Sequence, residues 1–312
     1  MLLTTQEAVY QLHEVGNTPD VLLECPGVRC VAEGRRLSAV AFRNGRVALL
    51  EAGRVRFLDP DLSEGEHITA LLMLAEDPVE MLVGAEPPHL YRLSEAGKAG
   101  PCGSFGALHM RSGWHTPWGG PPAVRSLAAA GRYVYANIHV GRIVVSPDDG
   151  ATWHSAGNDV EEDVHQVVTC PAAPDRVYAN TAQAVFVSYD RGQSWDDRGK
   201  GLGRRYGRAI AVHPQRPNVL LASASDGPIG DDVHGQLYRT TDAGKTWSQV
   251  DDGFPSVVRA NIDTGHVAVT ADGTGYAAVG RTLYAGPPAG GPWRRLWEAP
   301  DEIGMLSVAH LA

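Results

Sequence analysis

Cysteine is scarce in this sequence. Four cysteines occur among 312 residues, at Cys25, Cys30, Cys102 and Cys170, and none of them forms a CxxC pair or a zinc-finger spacing. The sequence therefore offers no disulfide framework and no zinc ribbon. We interpret the thiols as free, with a bond between Cys25 and Cys30 inside their loop as the alternative.

Long apolar runs and basic runs are also missing. No segment is apolar over the length that crosses a bilayer, and residues 1–7 lack the basic and apolar regions of a secretory signal. We therefore expect a cytoplasmic protein. The net charge of -9, without a compensating basic tail, disfavours nucleic acid and anionic membranes as partners.

Sustained helical periodicity is the third absence. No long segment repeats its apolar residues every 3.6 positions, whereas glycine (36) and proline (21) are abundant. Short strands joined by many turns produce this composition. The sequence therefore predicts an all-β fold.

One eight-residue pattern, Ser/Thr-x-Asp-x-Gly-x-Ser/Thr-Trp, occurs three times. The copies span residues 146–153, 188–195 and 240–247. In a tight turn the Asp carboxylate can accept backbone N–H bonds, the Gly tolerates a positive φ, and the Trp fills the space between neighbouring sheets. Each copy therefore predicts a turn between two strands.

Two decayed copies flank these three. Gly97 follows a segment similar to the one before Gly244, and the segment at Gly290 keeps the Gly and the Trp. The five glycines, at 97, 150, 192, 244 and 290, are separated by 53, 42, 52 and 46 residues. Such spacings suit one four-stranded propeller blade per repeat.

The repeat resembles the Asp-box, or BNR, repeat of sialidases, sortilin-type receptors, xyloglucan hydrolases and photosystem assembly propellers. The resemblance implies a β-propeller in which the box lies on a blade turn. In those families the box does not itself carry the chemistry, so a ligand site is expected elsewhere.

Alignment of the repeats predicts one domain, residues 1–312, folded as a single seven-bladed β-propeller with four-stranded blades. A seventh inner strand is predicted to begin near Met305 and to run to His310, and N-terminal strands complete its blade, so that no sheet edge stays open. The other six inner strands are predicted to begin near Arg36, His67, Arg125, His165, Arg208 and Arg259.

These six basic residues are predicted to lie on the face opposite the Asp boxes. We call the opening of the central channel on that face the axial mouth. The sequence predicts that Arg36, Arg125, Arg208 and Arg259 bind an anionic small molecule there, because Arg suits bidentate recognition of carboxylate and phosphate. The alternative is that the basic residues pair internally and hold blade to blade, with partners such as Glu33, Glu66, Asp163 and Glu302.

A long connection before Arg125 contains Trp114 and Trp118. Either ring could stack on a sugar or aromatic ligand from the rim, or pack against a blade edge. Another insertion, residues 225–235, carries carboxylates that could bind calcium, although it matches no EF-hand loop and also fits a solvated loop.

Histidines on the predicted box-free face raise the alternative of a transition-metal site. Neither metal nor calcium is firmly indicated. The candidate metal ligands are His67, His115, His139, His165 and His234.

Three classes of function remain open. An ordinary sialidase is disfavoured, because the sequence lacks the Arg-Ile-Pro motif and has seven predicted blades where sialidases have six. A binding or assembly module, with a protein partner, needs no catalytic residues. An atypical enzyme of lyase, cyclase or hydrolase type would use acid/base groups at the axial mouth. The candidates are Tyr206, His67, His165, Glu66 and Asp163.

Overall fold

The computed structural model describes residues 1–13, 18–230 and 232–308. This part of the chain forms seven four-stranded antiparallel sheets arranged as blades around an axis. Consecutive inner strands contact one another around the ring, including the last with the first. The predicted seven-bladed β-propeller is therefore confirmed.

Each blade runs from an inner strand outward in chain order. The first complete blades are β4–β7 (Val28–Glu33, Leu37–Phe42, Val47–Glu51, Arg54–Leu58), β8–β11 (His67–Glu76, Val79–Glu86, Leu90–Ser94, Ala99–Pro101) and β12–β15 (Val124–Ala130, Tyr133–Ile138, Ile143–Ser146, His154–Ser155). The next are β16–β19 (Val164–Cys170, Ala173–Thr181, Val185–Ser188, Asp196–Asp197), β20–β23 (Tyr206–His213, Arg216–Ser225, Gln236–Thr240, Ser248–Gln249) and β24–β27 (Val267–Val269, Gly275–Val279, Thr282–Gly286, Arg294–Glu298).

The seventh blade joins both ends of the described chain. Its strands are β28 (Met305–Ser307), β1 (Leu2–Thr4), β2 (Ala8–Gln11) and β3 (Asp20–Glu24). Leu306 lies opposite Leu3 in the antiparallel pairing of β28 with β1. The predicted closing blade is thus confirmed. Its inner strand ends at Ser307, and residues 309–312 of the prediction lie outside the described residues.

The three Asp boxes form the same turn between the third and the outer strand of their blades. In the first box, the Ser146 hydroxyl accepts a bond from the Gly150 N–H at 2.8 Å, and Asp148 Oδ1 accepts one from the Thr152 N–H at 2.7 Å. Gly150 has φ of 90°, which L side chains rarely adopt. Trp153 is buried between two blades. The role predicted for each box residue is confirmed.

Most of the core lies between adjacent blades. Alternate side chains of a blade face one neighbour or the other, so residues such as Tyr135 and Tyr178 become fully buried. Two 3-10 helices, Gly103–Ala107 and His109–Gly113, cover one such interface with Phe105. Within the described residues, no helix is both long and apolar enough to cross a membrane. All four cysteines are free.

Two predicted inner-strand positions are wrong. The first inner strand is Val28–Glu33, and Arg36 lies in the turn after it, at the Asp-box end of the blade. Strand β24 begins at Val267, eight residues after Arg259, which lies in the preceding loop. Both errors come from aligning basic residues, although the buried apolar residues set the strand register.

Candidate functional site

Five of the seven inner strands carry a β-bulge at their end near the axial mouth. An extra residue interrupts pairing with the second strand of these blades, and such bulges re-aim a side chain at the rim of a sheet. Arg125, His165 and Arg208 lie in three of these bulges. The same offset in the earlier blades gives Arg29 and Thr69, where the sequence analysis had placed Arg36 and His67.

The central channel contains a cavity of about 300 Å³ below this ring. Walls come from inner strands β4, β8, β12 and β28, with Gln166 and Thr264 from the neighbouring blades. Arg125 is half-buried and lines the cavity. The cavity therefore connects the ring of bulges with the interior of the propeller.

The guanidinium of Arg125 has no hydrogen-bond or ion-pair partner within the described chain. Loss of hydration lowers the pKa of Arg125, and the nearby charge of Arg208 lowers it further, although Asp263 and Asp163 act in the opposite direction. The fold therefore holds this cation at a net electrostatic disadvantage. An anion in the cavity would remove that disadvantage.

Arg208, by contrast, is paired. Its Nη1 donates to Asp263 Oδ1 at 3.0 Å, and its Nη2 donates to the Pro228 carbonyl oxygen at 3.1 Å. Partial burial raises the pKa of Asp263, but Arg208 and the Thr264 N–H outweigh it, so the pKa is lowered. Arg208 therefore joins two blades and the 225–235 insertion, as the alternative of internal pairing expects.

Asp163, His165 and His139 converge beside Arg125. Asp163 Oδ1 lies 3.3 Å from His165 Nε2 and 3.6 Å from His139 Nε2. Asp163 and His165 come from the start of β16, and His139 from the turn between β13 and β14. One ligand atom from each residue lies within 4.8 Å of the others.

Both histidines are held in the neutral form. Burial and the charge of Arg125 lower the pKa of His139 to about 4. Burial also lowers the pKa of His165, although Asp163 raises it. Burial raises the pKa of Asp163, but its contacts with His165, His139 and Arg125 outweigh that effect and lower it. At neutral pH the cluster thus consists of one carboxylate and two uncharged imidazoles.

Tyr206 completes the cluster. Its hydroxyl lies 3.2 Å from His165 Nε2, and its ring packs against that of His165. Burial raises the pKa of Tyr206, so the phenol keeps its proton and donates it. A protonated phenol close to the guanidinium of Arg125 can serve as a proton donor to a group bound between them.

Of the two tryptophans, one is exposed at the rim and the other is packed in the core, which were the two predicted alternatives. Trp118 is 66% exposed, and its ring centroid lies 4.9 Å from that of His139 at the rim. Trp114 is 9% exposed and packs against Phe105 and Arg111 in the core. Trp118 is therefore accessible to a ligand at the axial mouth, whereas Trp114 is a packing residue.

Other predicted site residues lie apart from this cluster. Arg36 pairs with Glu76 at the Asp-box end, and Arg259 is exposed in its loop. His67 is exposed, while Glu66 accepts hydrogen bonds from the Tyr91 hydroxyl and the Ser63 N–H. His89 also contacts the Glu66 carboxylate. The structure thus does not join Glu66 and His67 with His165.

Two of the predicted metal ligands, His115 and His234, also lie apart from the cluster of Asp163, His165 and His139. His115 is exposed, with its Nδ1 3.0 Å from the Gly113 carbonyl oxygen. His234 Nδ1 lies 2.8 Å from Asp226 Oδ2, and Arg204 binds the other oxygen of the same carboxylate. Asp226 in the insertion is therefore partnered by Arg204 and His234, and Asp231 lies outside the described residues.

Sequence reasoning missed Asp263, Arg29 and Thr69 as members of the ring. A usable signal was the buried apolar residue that precedes each of these positions, namely Val28, Ile68, Val124, Val164 and Ile262. Alignment on those residues places Arg29, Thr69, Arg125, His165 and Asp263 in register.

Comparison with known proteins supports the fold. A family model described as Sortilin-Vps10 (sortilin, neurotensin receptor 3) matches residues 141–272. The xyloglucanase Xgh74A of Acetivibrio thermocellus is 26% identical over an alignment of 146 residues, and the match covers 39% of this chain and 16% of the xyloglucanase. This chain therefore spans a small part of that relative.

Solved structures resemble the whole propeller. The GH74 enzyme of Niastella koreensis has a TM-score of 0.69 at 13% identity, covering 94% of this chain and 51% of the enzyme. YCF48 bound to D1 peptide has a TM-score of 0.56 at 15% identity, covering 86% of this chain and 81% of that protein. The sortilin-type match and these folds fit the Asp-box propeller superfamily that the repeat resembles.

Proposed function

We propose that this Asp-box propeller binds a small carboxylate-bearing molecule in its axial mouth, with Arg125 as the anion-binding residue. The observation that carries the proposal is the unpartnered guanidinium of Arg125 at the wall of the axial cavity. Arg36 and Arg208 are paired with Glu76 and Asp263, so Arg125 differs from them in having no carboxylate of its own.

A bound carboxylate would give Arg125 the negatively charged hydrogen-bond partner that it lacks among the described residues. A charge-assisted hydrogen bond contributes about 1.5–3 kcal/mol, and the planar guanidinium can form two parallel bonds with one carboxylate. Such bonds are stronger inside a narrow channel of the protein than in water, because the effective dielectric constant is lower there. Asp163 and Asp263 lie near enough to influence Arg125 electrostatically but form no ion pair with it.

The rim suggests an apolar or ring-shaped body for the ligand. Trp118 is exposed on one side, next to His139. Ile229 is 88% exposed and follows Pro228, whose carbonyl binds Arg208. Exposed apolar side chains beside a cavity are typical of ligand sites. Because the curated relative is a xyloglucanase, sugar acids belong among the first probes.

The test is a titration of the protein with glucuronate, benzoate and phosphate by calorimetry, for the wild type and for Arg125→Met. We expect a carboxylate to bind the wild type and the variant to bind it at least about tenfold more weakly. Arg36→Ala is the matched control, because Arg36 is exposed at the opposite end of the blade, and it should bind like the wild type.

Thermal stability separates this proposal from a structural role. Since folding disfavours the charged form of Arg125, Arg125→Met should leave the melting temperature unchanged or raise it. A clear fall in melting temperature, or equal affinity in both proteins, would contradict the proposal. Binding of an acidic peptide but of no small acid would point to an assembly module instead.

Catalysis is the second candidate, favoured by the proton-bearing Tyr206 hydroxyl in the same cluster. NMR spectra of a bound acid after incubation with wild type and with Tyr206→Phe provide the test. The catalytic candidate expects the wild type to convert the acid and the variant to bind it without converting it. An acid recovered unchanged from the wild type contradicts catalysis on that acid.

A further inference from the structure

We propose that His139 Nε2, His165 Nε2 and Asp163 Oδ1 bind a divalent first-row transition metal ion at the axial mouth. Three protein ligands leave coordination positions open, as at catalytic rather than structural metal sites. The metal site goes beyond the proposed function. Its coupling to an anion, argued below, rests on that function.

The separations suit one ion. Ligand atoms on adjacent positions of a metal with bonds of about 2.0–2.2 Å lie about 3–3.5 Å apart. The two observed distances to Asp163 Oδ1, 3.3 and 3.6 Å, fall close to this range. The two imidazoles also lie within 4.8 Å of each other at their ligand atoms.

The orientation of His165 is fixed for metal binding. Its Nδ1 contacts the Gly207 carbonyl oxygen. A carbonyl oxygen can only accept, so Nδ1 carries the proton and Nε2 of the neutral ring presents a lone pair. A metal-binding histidine commonly has this arrangement, with a backbone carbonyl on its second nitrogen.

The structure also keeps Gly207 in place. A Cβ at position 207 would lie 1.7 Å from Asn180 Oδ1, so no other residue fits there without a shift. Asn180 is itself held, because its Nδ2 donates to the carbonyls of Ala209 and Ser223 at 2.7 and 2.9 Å. The carbonyl that orients His165 therefore belongs to a rigid part of two blades.

Asp163 supplies the second independent observation. Its Oδ1 is buried, and no donor in the described part of the chain forms a hydrogen bond with it. A buried carboxylate oxygen facing the lone pair of His165 Nε2 at 3.3 Å is unfavourable without a cation between them. A metal ion would bind both atoms, and it would not need the N–H that neither atom carries.

Charge explains why such a metal should require an anion. Beside the cluster, the positive charges of Arg125 and Arg208 are opposed by the negative charges of Asp163 and Asp263. A divalent ion adds two positive charges in a channel of low dielectric constant. A carboxylate bound to Arg125 and to an open metal position would offset one of them, and it could also accept a hydrogen bond from the Tyr206 hydroxyl that metal binding displaces from His165.

The test starts from protein stripped with a chelator and then dialysed free of it. Titration with Co²⁺, followed by calorimetry and by its visible absorption, should show about one ion bound per chain. Asp163→Asn keeps the shape of the side chain, and His139→Gln removes a ligand from an accessible turn. Each should weaken Co²⁺ binding at least about tenfold. His234→Gln is the matched control, since His234 lies with Asp226 on the same face.

Coupling is measured by repeating the Co²⁺ titration with saturating carboxylate from the screen. We expect the affinity for Co²⁺ to rise about 5- to 150-fold, and the affinity for the acid to rise by the same factor when Co²⁺ is present. Anion binding to the stripped protein tests the proposed function alone, and Co²⁺ binding without acid tests the metal site alone. Either can therefore fail while the other stands.

Three results would overturn the metal site. One is a wild type that takes up no Co²⁺ above background. Another is a loss of Co²⁺ affinity in His234→Gln as large as in the two ligand variants, which would indicate nonspecific surface binding. The third is an unchanged Co²⁺ affinity in His139→Gln. The melting temperature of this variant shows whether its fold is intact. His139→Gln also keeps the test valid if Asp163→Asn fails to fold.

Discussion

The ring of Trp118 lies 4.9 Å from the ring of His139, with the two planes inclined by 53°. Trp118 comes from the long connection before β12, and His139 from the turn between β13 and β14. The contact holds an exposed indole at the edge of the axial mouth. A ligand that reaches Arg125 would therefore meet Trp118 on its way in.

Trp118→Ala should weaken the binding of a ring-containing acid such as benzoate or glucuronate by about 2- to 12-fold, because stacking contributes about 0.5–1.5 kcal/mol. Calorimetric titration checks this. The effect of Trp118→Ala on the binding of acetate, which has no ring to stack, should be smaller. An equal loss for acetate and benzoate would show that Trp118 acts on the fold of the loop and not on the ligand.

Trp114→Ala should have the opposite profile. Trp114 is buried against Phe105, so truncation leaves a cavity and costs about 3–5 kcal/mol of unfolding free energy. Urea unfolding followed by fluorescence measures this loss. Trp118→Ala, whose side chain is mostly exposed, serves as the reference and should lie within about 0.5 kcal/mol of wild type. Similar stabilities for the two variants would contradict the assignment.

Asp242→Asn should destabilise the third Asp box. Asp242 Oδ1 accepts bonds from the Thr240 hydroxyl and the Thr246 N–H, and Oδ2 accepts one from the Thr246 hydroxyl. Removing the charge should cost about 1–3 kcal/mol of unfolding free energy at pH 7. Asp251, which is exposed, gives the control variant Asp251→Asn.

The loss in Asp242→Asn should depend on pH. Partial burial raises the pKa of Asp242, but the bonds from Thr246 and Thr240 outweigh it and lower the pKa to about 2. A carboxyl whose pKa is lower when folded stabilises the fold above its unfolded value of about 3.9 and loses that contribution towards the folded value. The gap between wild type and variant should therefore shrink from about pH 4 to about pH 2. A gap that stays constant would mean that the charge is not the source.

Leu306→Ala should weaken the closure of the ring. Leu306 is 5% exposed and packs with Leu3 between the last and first parts of the chain. The truncation should cost about 2–5 kcal/mol of unfolding free energy, measured by urea unfolding. Val257→Ala, at an exposed position, should change it by less than about 0.5 kcal/mol. Deletion of residues 303–312 should lower the melting temperature more than Leu306→Ala; no change on deletion would contradict the closing blade.

Much of the fold follows from the sequence because its signals are local. Within each Asp box, the Ser or Thr, the Asp and the Gly satisfy one another across five residues, so the pattern predicts the turn without knowledge of the rest. The repeat interval then indicates a four-stranded blade, and the unmatched strands at both ends indicate the closing one. Tyr206, His165 and Asp163 were also candidates from sequence, since each lies at the start of an inner strand.

What the tertiary structure decided is which candidates meet. A β-bulge places Arg125 on the wall of the axial cavity, and another places His165 beside Asp163. Bulges depend on pairing between strands rather than on a residue motif. For the same reason, the residue in the bulge of blade β4–β7 is Arg29 and not the predicted Arg36. His139 reaches Asp163 from another blade, and Trp118 is exposed while Trp114 is buried, because packing between distant segments fixes these positions. Only the folded ring leaves Arg125 without a hydrogen-bond or ion-pair partner, and Asp163 Oδ1 without a donor, among the residues that the structure describes.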